Sequence, residues 1–247
     1  MPGSGTEQRL ARLRREVRRS RGRNAKTGVK RPSRRRDGRT IALSVLVAIV
    51  KLSAIIALPF VVYVRASVFF YDHGANVWLA IVGAAALTMA LVLMYAAGLA
   101  RHLRGRALVR SLLRWIGLPM VAAWCLSSLF FLARVNAKSD EVRGYFLSVH
   151  PILRVALSTV ILVDPGLVIT DMARQPSDYR RMGLPVNKKT MHYEQPDGWV
   201  HAVDLRTKSN GEIRNRAVQF YFEVMGFSTL RHVGTADHLH VQMRRLT

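Results

Sequence analysis

Apolar residues form long uninterrupted blocks in the first half of the chain and recur at short period in the second. Three blocks stand between basic residues, over 40–64, 75–100 and 115–133. Each is close to or above the roughly 20 residues a helix needs to cross a bilayer, so the pattern predicts three spans. The second block carries no charge, whereas the first carries Lys51 near its middle. A lysine there costs about 2.5–3.5 kcal/mol on insertion scales, which the surrounding Ile, Val and Leu outweigh. It reads as a bundle-facing or snorkelling side chain. A fourth apolar stretch, between Arg154 and Asp164, is too short to cross. Asp164-Pro165-Gly166 reads as a turn that ends a helix near Val163.

Beyond Arg134 the periods shorten. Residues 140–163 predict helix, restarted at Pro151, and 167–170 predict a strand. Residues 175–190 are polar and rich in turn formers. Residues 199–205 read as a strand. Residues 211–225 read as a helix with Ile213, Ala217, Phe220 and Val224 on one face and Gly226 as its stop. Residues 227–233 and 238–244 read as two strands joined across 234–237 as a hairpin. The expected architecture is an N-terminal α-helical membrane region of three spans, followed over 135–247 by an α+β domain with an antiparallel sheet.

Charge separates along the same lines. Of the 247 residues, 38 are Lys or Arg against 15 Asp or Glu, a formal net charge of +23. Residues 1–40 hold 15 of the basic residues and 3 acids, and 101–114 hold 5 arginines and no acid. Residues 135–247 carry only +4. Basic flanks stay on the cytoplasmic side, which places the N-terminus in the cytoplasm and, after three spans, the C-terminal domain outside it. The expected location is therefore the cytoplasmic membrane. The tail over 1–39 reads as a disordered segment that sets orientation and touches anionic lipid. It has no interleaved aromatics to stack on bases, so no specific nucleic-acid partner is expected. Cys125 is the one cysteine, which excludes an intrachain disulfide framework.

The candidate chemistry lies at strand edges. In His201-Ala-Val-Asp204, alternation puts Ala202 and Asp204 on one face and His201 on the other. In His238-Leu-His240, two imidazoles share a face, which makes a metal half-site. Imidazole nitrogens with a carboxylate suit Zn²⁺, and His192 is the natural third ligand. Asp237, at the mouth of the last strand, is placed to move a proton; it is equally suited to capping the turn. His201 and His232 also read as solvated surface histidines.

At these residues the sequence resembles the zinc D,D-peptidases. That family includes D-alanyl-D-alanine carboxypeptidases, vancomycin-resistance D,D-dipeptidases and phage L-alanyl-D-glutamate endopeptidases, with a fold shared by the hedgehog signalling domain. The resemblance covers roughly 148–244 and rests on LVITDMAR, KTMHY, GWVHAVDL and DHLHV. It implies zinc held by His192, Asp204 and His240, with Asp237 as catalytic acid/base. It also implies Arg174 on a substrate carboxylate or oxyanion and His238 as a donor beside the metal. Thr190 stands where the family has Ser, and Asp237 where many members have Glu. Eleven residues separate His192 from Asp204, more than the family spacing, and the surplus falls in EQPDG. Were the strand pairing not kept, His201 would be the first ligand instead.

The implied function is a membrane-anchored zinc peptidase cutting peptidoglycan stem peptides or cross-links. The alternative is a cell-envelope binding or scaffold protein that keeps the zinc fold without turnover.

Overall fold

A computed structural model describes residues 9–18, 38–102, 107, 110–111, 113–181, 183, 185–186, 189–234 and 237–244. They fall in two compact units, Met1–Leu52 and Ser53–Thr247. In the first, residues 9–18 are helical, although disorder was expected throughout the tail. The remainder of that tail lies outside the described residues, as does most of the basic loop 103–112.

Among the described residues, three helices are long and apolar enough to cross a membrane. The first, α1, runs Gly38–Asp72 and passes the predicted end at Val64 by two turns. The second, α2, is Val77–His102. The third opens with a π-helical turn, Leu113–Gly117, and continues as α3, Leu118–Phe130.

The C-terminal part is an α+β structure with a four-stranded antiparallel sheet. Its strands are β1 (Ile169–Asp171), β2 (Ala202–Arg206), β3 (Ser228–His232) and β4 (His238–Gln242), in the order β1-β2-β4-β3. The hairpin between β3 and β4 is present as expected; residues 235–236 of its turn lie outside the described residues. The predicted helix over 140–163 is broken. Asp140–Gly144 forms α4, capped by the Ser139 hydroxyl, and Pro151–Val163 forms α5. His150 caps α5, its Nδ1 accepting from the Ile152 N–H at 3.3 Å. Pro151 at the first position needs no donor of its own there. Within the polar stretch, Pro176–Arg181 forms the short helix α6.

Helix α7, Glu212–Met225, turns the apolar face read from the sequence outward. It buries Asn215, Val218, Phe222 and Met225, and leaves Ile213, Phe220 and Val224 exposed. Gly226 ends it at φ +105°. The Gly226 and Phe227 N–H groups both return to the Phe222 carbonyl, a left-handed stop that glycine reaches at no steric cost.

One buried cluster holds the second unit together. It joins Val203, Leu205, Leu239 and Val241 of the sheet to Phe222 of α7 and most of α5. It also takes in Tyr63, Val64 and Val68 of α1 and Leu129 of α3. Arg154 of α5 is wholly buried and donates to the Leu129 carbonyl at 2.6 Å. Its guanidinium lies over the Trp199 and Phe146 rings, and burial lowers its pKa to about 10.

Candidate metal centre

Strand alternation builds the site. Asp204 of β2 and His240 of β4 are direct cross-strand partners, so their side chains leave the sheet together. Val203, Leu205, Leu239 and Val241 leave by the opposite face into the core. His192 arrives from the loop before β2. That loop is tied on both sides: the Arg174 N–H bonds the His192 carbonyl, and the His201 N–H bonds the Met191 carbonyl. The surplus residues between His192 and Asp204 fold out as a small hairpin. Glu194 bridges Val200, and Gly198 turns at φ +82°. The longer spacing therefore still lets His192 reach Asp204 and His240.

His192 Nε2, His240 Nδ1 and Asp204 Oδ1 converge. Their separations are 3.2 Å between the histidines, 2.8 Å from His240 to Asp204 and 3.3 Å from His192 to Asp204. Ligands at 2.0–2.1 Å from a tetrahedral metal stand about 3.3 Å apart, close to this triangle. The outward-facing ring nitrogens set the tautomers. His192 Nδ1 lies 2.5 Å from the Met172 carbonyl, which can only accept, so that nitrogen carries the proton. His240 Nε2 lies 3.1 Å from Gln242 Oε1 and donates to it. In the neutral rings, both inward nitrogens then present lone pairs to a carboxylate oxygen. Three lone pairs this close repel unless a cation or an added proton lies among them. His192 and Asp204 are 1% and 3% exposed, so water screens that repulsion poorly. The donor set fits a metal ion, and these side chains are a group that can hold one.

Electrostatics agree with a charged centre. Burial alone would raise the Asp204 pKa, but the adjoining imidazoles of His192 and His240 and the Arg174 charge hold it far below the usual carboxylate range. Burial disfavours a charged His240, yet Asp204 and Gln242 leave its pKa raised. Arg174 Nη2 donates to Asp204 Oδ2 at 2.6 Å, its Nε to Asp171 at 2.5 Å and its Nη1 to Tyr179 at 3.4 Å. Despite burial, Asp171, Tyr179 and Asp204 raise its pKa. It thus fixes Asp204 with one carboxylate oxygen turned toward the histidines.

The triad opens into a cleft of about 760 Å³ that is also lined by Arg174, Asp237 and His238. His238 Nε2 stands 3.8 Å from Asp204 Oδ2, and its ring stacks on His232. Asp237 makes a bidentate pair with Arg231, at 2.8 and 3.0 Å, and accepts from the Thr207 hydroxyl at 2.5 Å. These bonds hold its pKa below the ordinary carboxylate value.

His201 points away from Asp204, as strand alternation requires, and joins a separate group. Its Nε2 is 2.8 Å from Asp197 Oδ2, while His150 Nε2 is 4.0 Å from the same oxygen. This group is more widely spread than the first triad. His150 Nδ1 accepts from the backbone, and these three side chains are a second group that could hold a metal ion. Burial, with the nearby His201, lowers the His150 pKa to about 3. The group gathers around Asp197, which also accepts from the Tyr71 hydroxyl of α1 at 3.5 Å.

Several of these partners were not read from the sequence. Gln242 lies two residues after His240, on the same strand face, so period-2 spacing pointed to it. Asp171, Arg231 and Thr207 carry no comparable local signal. No family model, curated protein or solved structure matches the chain.

Proposed function

We propose that the chain is a membrane-anchored, metal-dependent peptidase of the zinc D,D-peptidase type, acting on peptidoglycan peptides outside the cytoplasmic membrane. The observation that carries this reading is the convergence of His192, Asp204 and His240 on one buried point at the floor of an open cleft. The motif order resembling that family and the basic flanks that favour an exported C-terminal domain support it further. His192, Asp204 and His240 would hold the zinc. When bound, such a metal polarises a carbonyl and brings the pKa of water toward about 7. Arg174 locks the carboxylate of Asp204 in a one-oxygen orientation. Met172 and Gln242 hold the two imidazoles in the tautomer a metal needs. Asp237, at the cleft wall, would take the proton from water and give it to the leaving amine once substrate draws it from Arg231. His238 would donate a hydrogen bond to the developing oxyanion.

The test uses the full chain in detergent, because the core is shared with α1 and α3. Stripped with chelator and reloaded, it should take up one zinc per chain and cleave muropeptides. His192→Ala should abolish uptake, and Asp237→Asn should keep the zinc and lose cleavage. Wild-type protein that binds no zinc would overturn the metal assignment.

A second reading is a zinc-binding scaffold protein of the cell envelope without turnover. The Arg231 clamp on Asp237 favours it, since a carboxylate held low in pKa is a poor base. Stoichiometric zinc binding with no cleavage of any muropeptide would select this reading over the first.

A further inference from the structure

Helix α7 carries two apolar stripes. Val218, Phe222 and Met225 form one, and they enter the core with the sheet. Ile213, Ala217, Phe220 and Val224 form the other, on the opposite side of the helix. Ile213 is 88% exposed and Phe220 67%. A stripe of this kind on a soluble domain is a liability, and its usual meaning is an unseen partner.

The neighbours of α7 say which partner. The helix runs antiparallel to α5: Arg214 pairs with Asp164, and the Tyr221 hydroxyl donates to the Ala156 carbonyl. Helix α5 in turn is fastened to the last turn of α3. Arg154 donates to the Leu129 carbonyl there, and Ser158 to the Ser128 carbonyl. The far end of α7 abuts α1, where a β-carbon added at Gly226 would lie 2.8 Å from Val68 and 3.0 Å from Arg65. The α5–α7 pair is thus fixed at two points to the ends of apolar helices long enough to span a membrane. At the α3 end, Phe131, Leu162 and Val163 are also exposed, and Phe131 and Leu162 line one hollow. Exposed apolar residues therefore occur on the long apolar helices, where α3 meets α5, and along α7.

We propose that α7 is a membrane-lying helix whose Ile213–Ala217–Phe220–Val224 stripe rests in the headgroup and acyl boundary of the bilayer. Arg214 and Arg216 flank the stripe, held in ion pairs with Asp164 and Glu212. The sheet stands between α7 and the His192–Asp204–His240 triad. Seating α7 on lipid consequently turns the cleft away from the membrane and toward water. The proposal is independent of whether the triad is catalytic.

Single cysteines at Phe220 or Val224, in a Cys125→Ala background of the full chain, would carry an environment-sensitive fluorophore. The chain is placed in phosphatidylcholine–phosphatidylglycerol vesicles with or without lipid bearing a nitroxide high on the acyl chain. A label at Lys189, on the cleft wall, is the reference. The expected result is loss of most emission from Phe220 and Val224 on adding nitroxide lipid, with Lys189 unchanged and open to an aqueous reductant. Labels at Phe220 and Val224 that escape lipid quenching and react with the reductant as fast as Lys189 would overturn the proposal. Shielding without lipid quenching that vanishes at one copy per vesicle would also overturn it, because the stripe would then join two copies of the chain.

Discussion

Replacing Gly226 with alanine tests how the sheet-bearing part is held to α1, the first of the helices long and apolar enough to cross a membrane. Two costs add. At φ +105° an L-residue pays a backbone penalty of about 1–2 kcal/mol. The new methyl also lies 2.8 Å from Val68 Cγ1, inside any ordinary contact, and overpacking of this kind costs about 1–3 kcal/mol. The Arg65 guanidinium, 3.0 Å away, is the end of a flexible side chain and can swing clear. Val68, buried on the helix, cannot. Gly226→Ala should therefore destabilise the protein by roughly 2–5 kcal/mol in all, from the backbone and packing parts together. Shortening Val68 to alanine removes the packing part and leaves the backbone part. The assay is chemical unfolding of the full chain in detergent for wild type, Gly226→Ala, Val68→Ala and the double variant. The double variant should be more stable than the sum of the singles predicts, by about 1 kcal/mol or more, as touching pairs are. Additivity within about 0.5 kcal/mol, the behaviour of distant sites, would refute the contact between Gly226 and α1. The same result would remove one of the two fixings on which the membrane-lying role of α7 depends.

Three further outcomes are expected. Gln242→Leu takes away the acceptor of the His240 Nε2 proton and should weaken zinc binding about 10–100-fold, read by competition with a chromophoric chelator; unchanged affinity would mean that the tautomer argument is wrong. In chelator-stripped protein the raised His240 pKa contributes stability below its unfolded value of about 6.5 and loses it as pH rises through the folded value, whereas the depressed Asp204 pKa contributes above about 3.9 and fails only as pH falls through its folded value. Thermal midpoints should therefore decline above about pH 6.5 in stripped protein and hold in zinc-loaded protein, and a stripped profile flat from pH 5.5 to 8 would contradict this. Asn136→Ala takes the donor from the Pro165 carbonyl and from the buried Leu167 carbonyl, which share its amide at 2.9 and 2.8 Å. It should cost about 1–3 kcal/mol in the same unfolding assay.

What the sequence disclosed and what it hid differ in physical kind. The site was legible because strand alternation is a local rule. His201 and Asp204 are three residues apart and must face opposite ways, and His240 pairs with Asp204 whatever the length of the intervening hairpin. The three apolar blocks were legible because composition alone sets them apart. The burial of α7 was not legible, because Ile213–Ala217–Phe220–Val224 and Val218–Phe222–Met225 both satisfy the helical repeat. Which stripe meets the sheet is decided by the volumes of Phe222 and Met225 against Leu239 and Val241, contacts remote in sequence. The clamp on Asp237 was hidden for the same reason, since Arg231 and Thr207 reach it from two other segments. A helix with two apolar stripes has to satisfy both. The core satisfies one, and the neighbouring helices, long and apolar enough to cross a membrane, are the reason to propose lipid for the other.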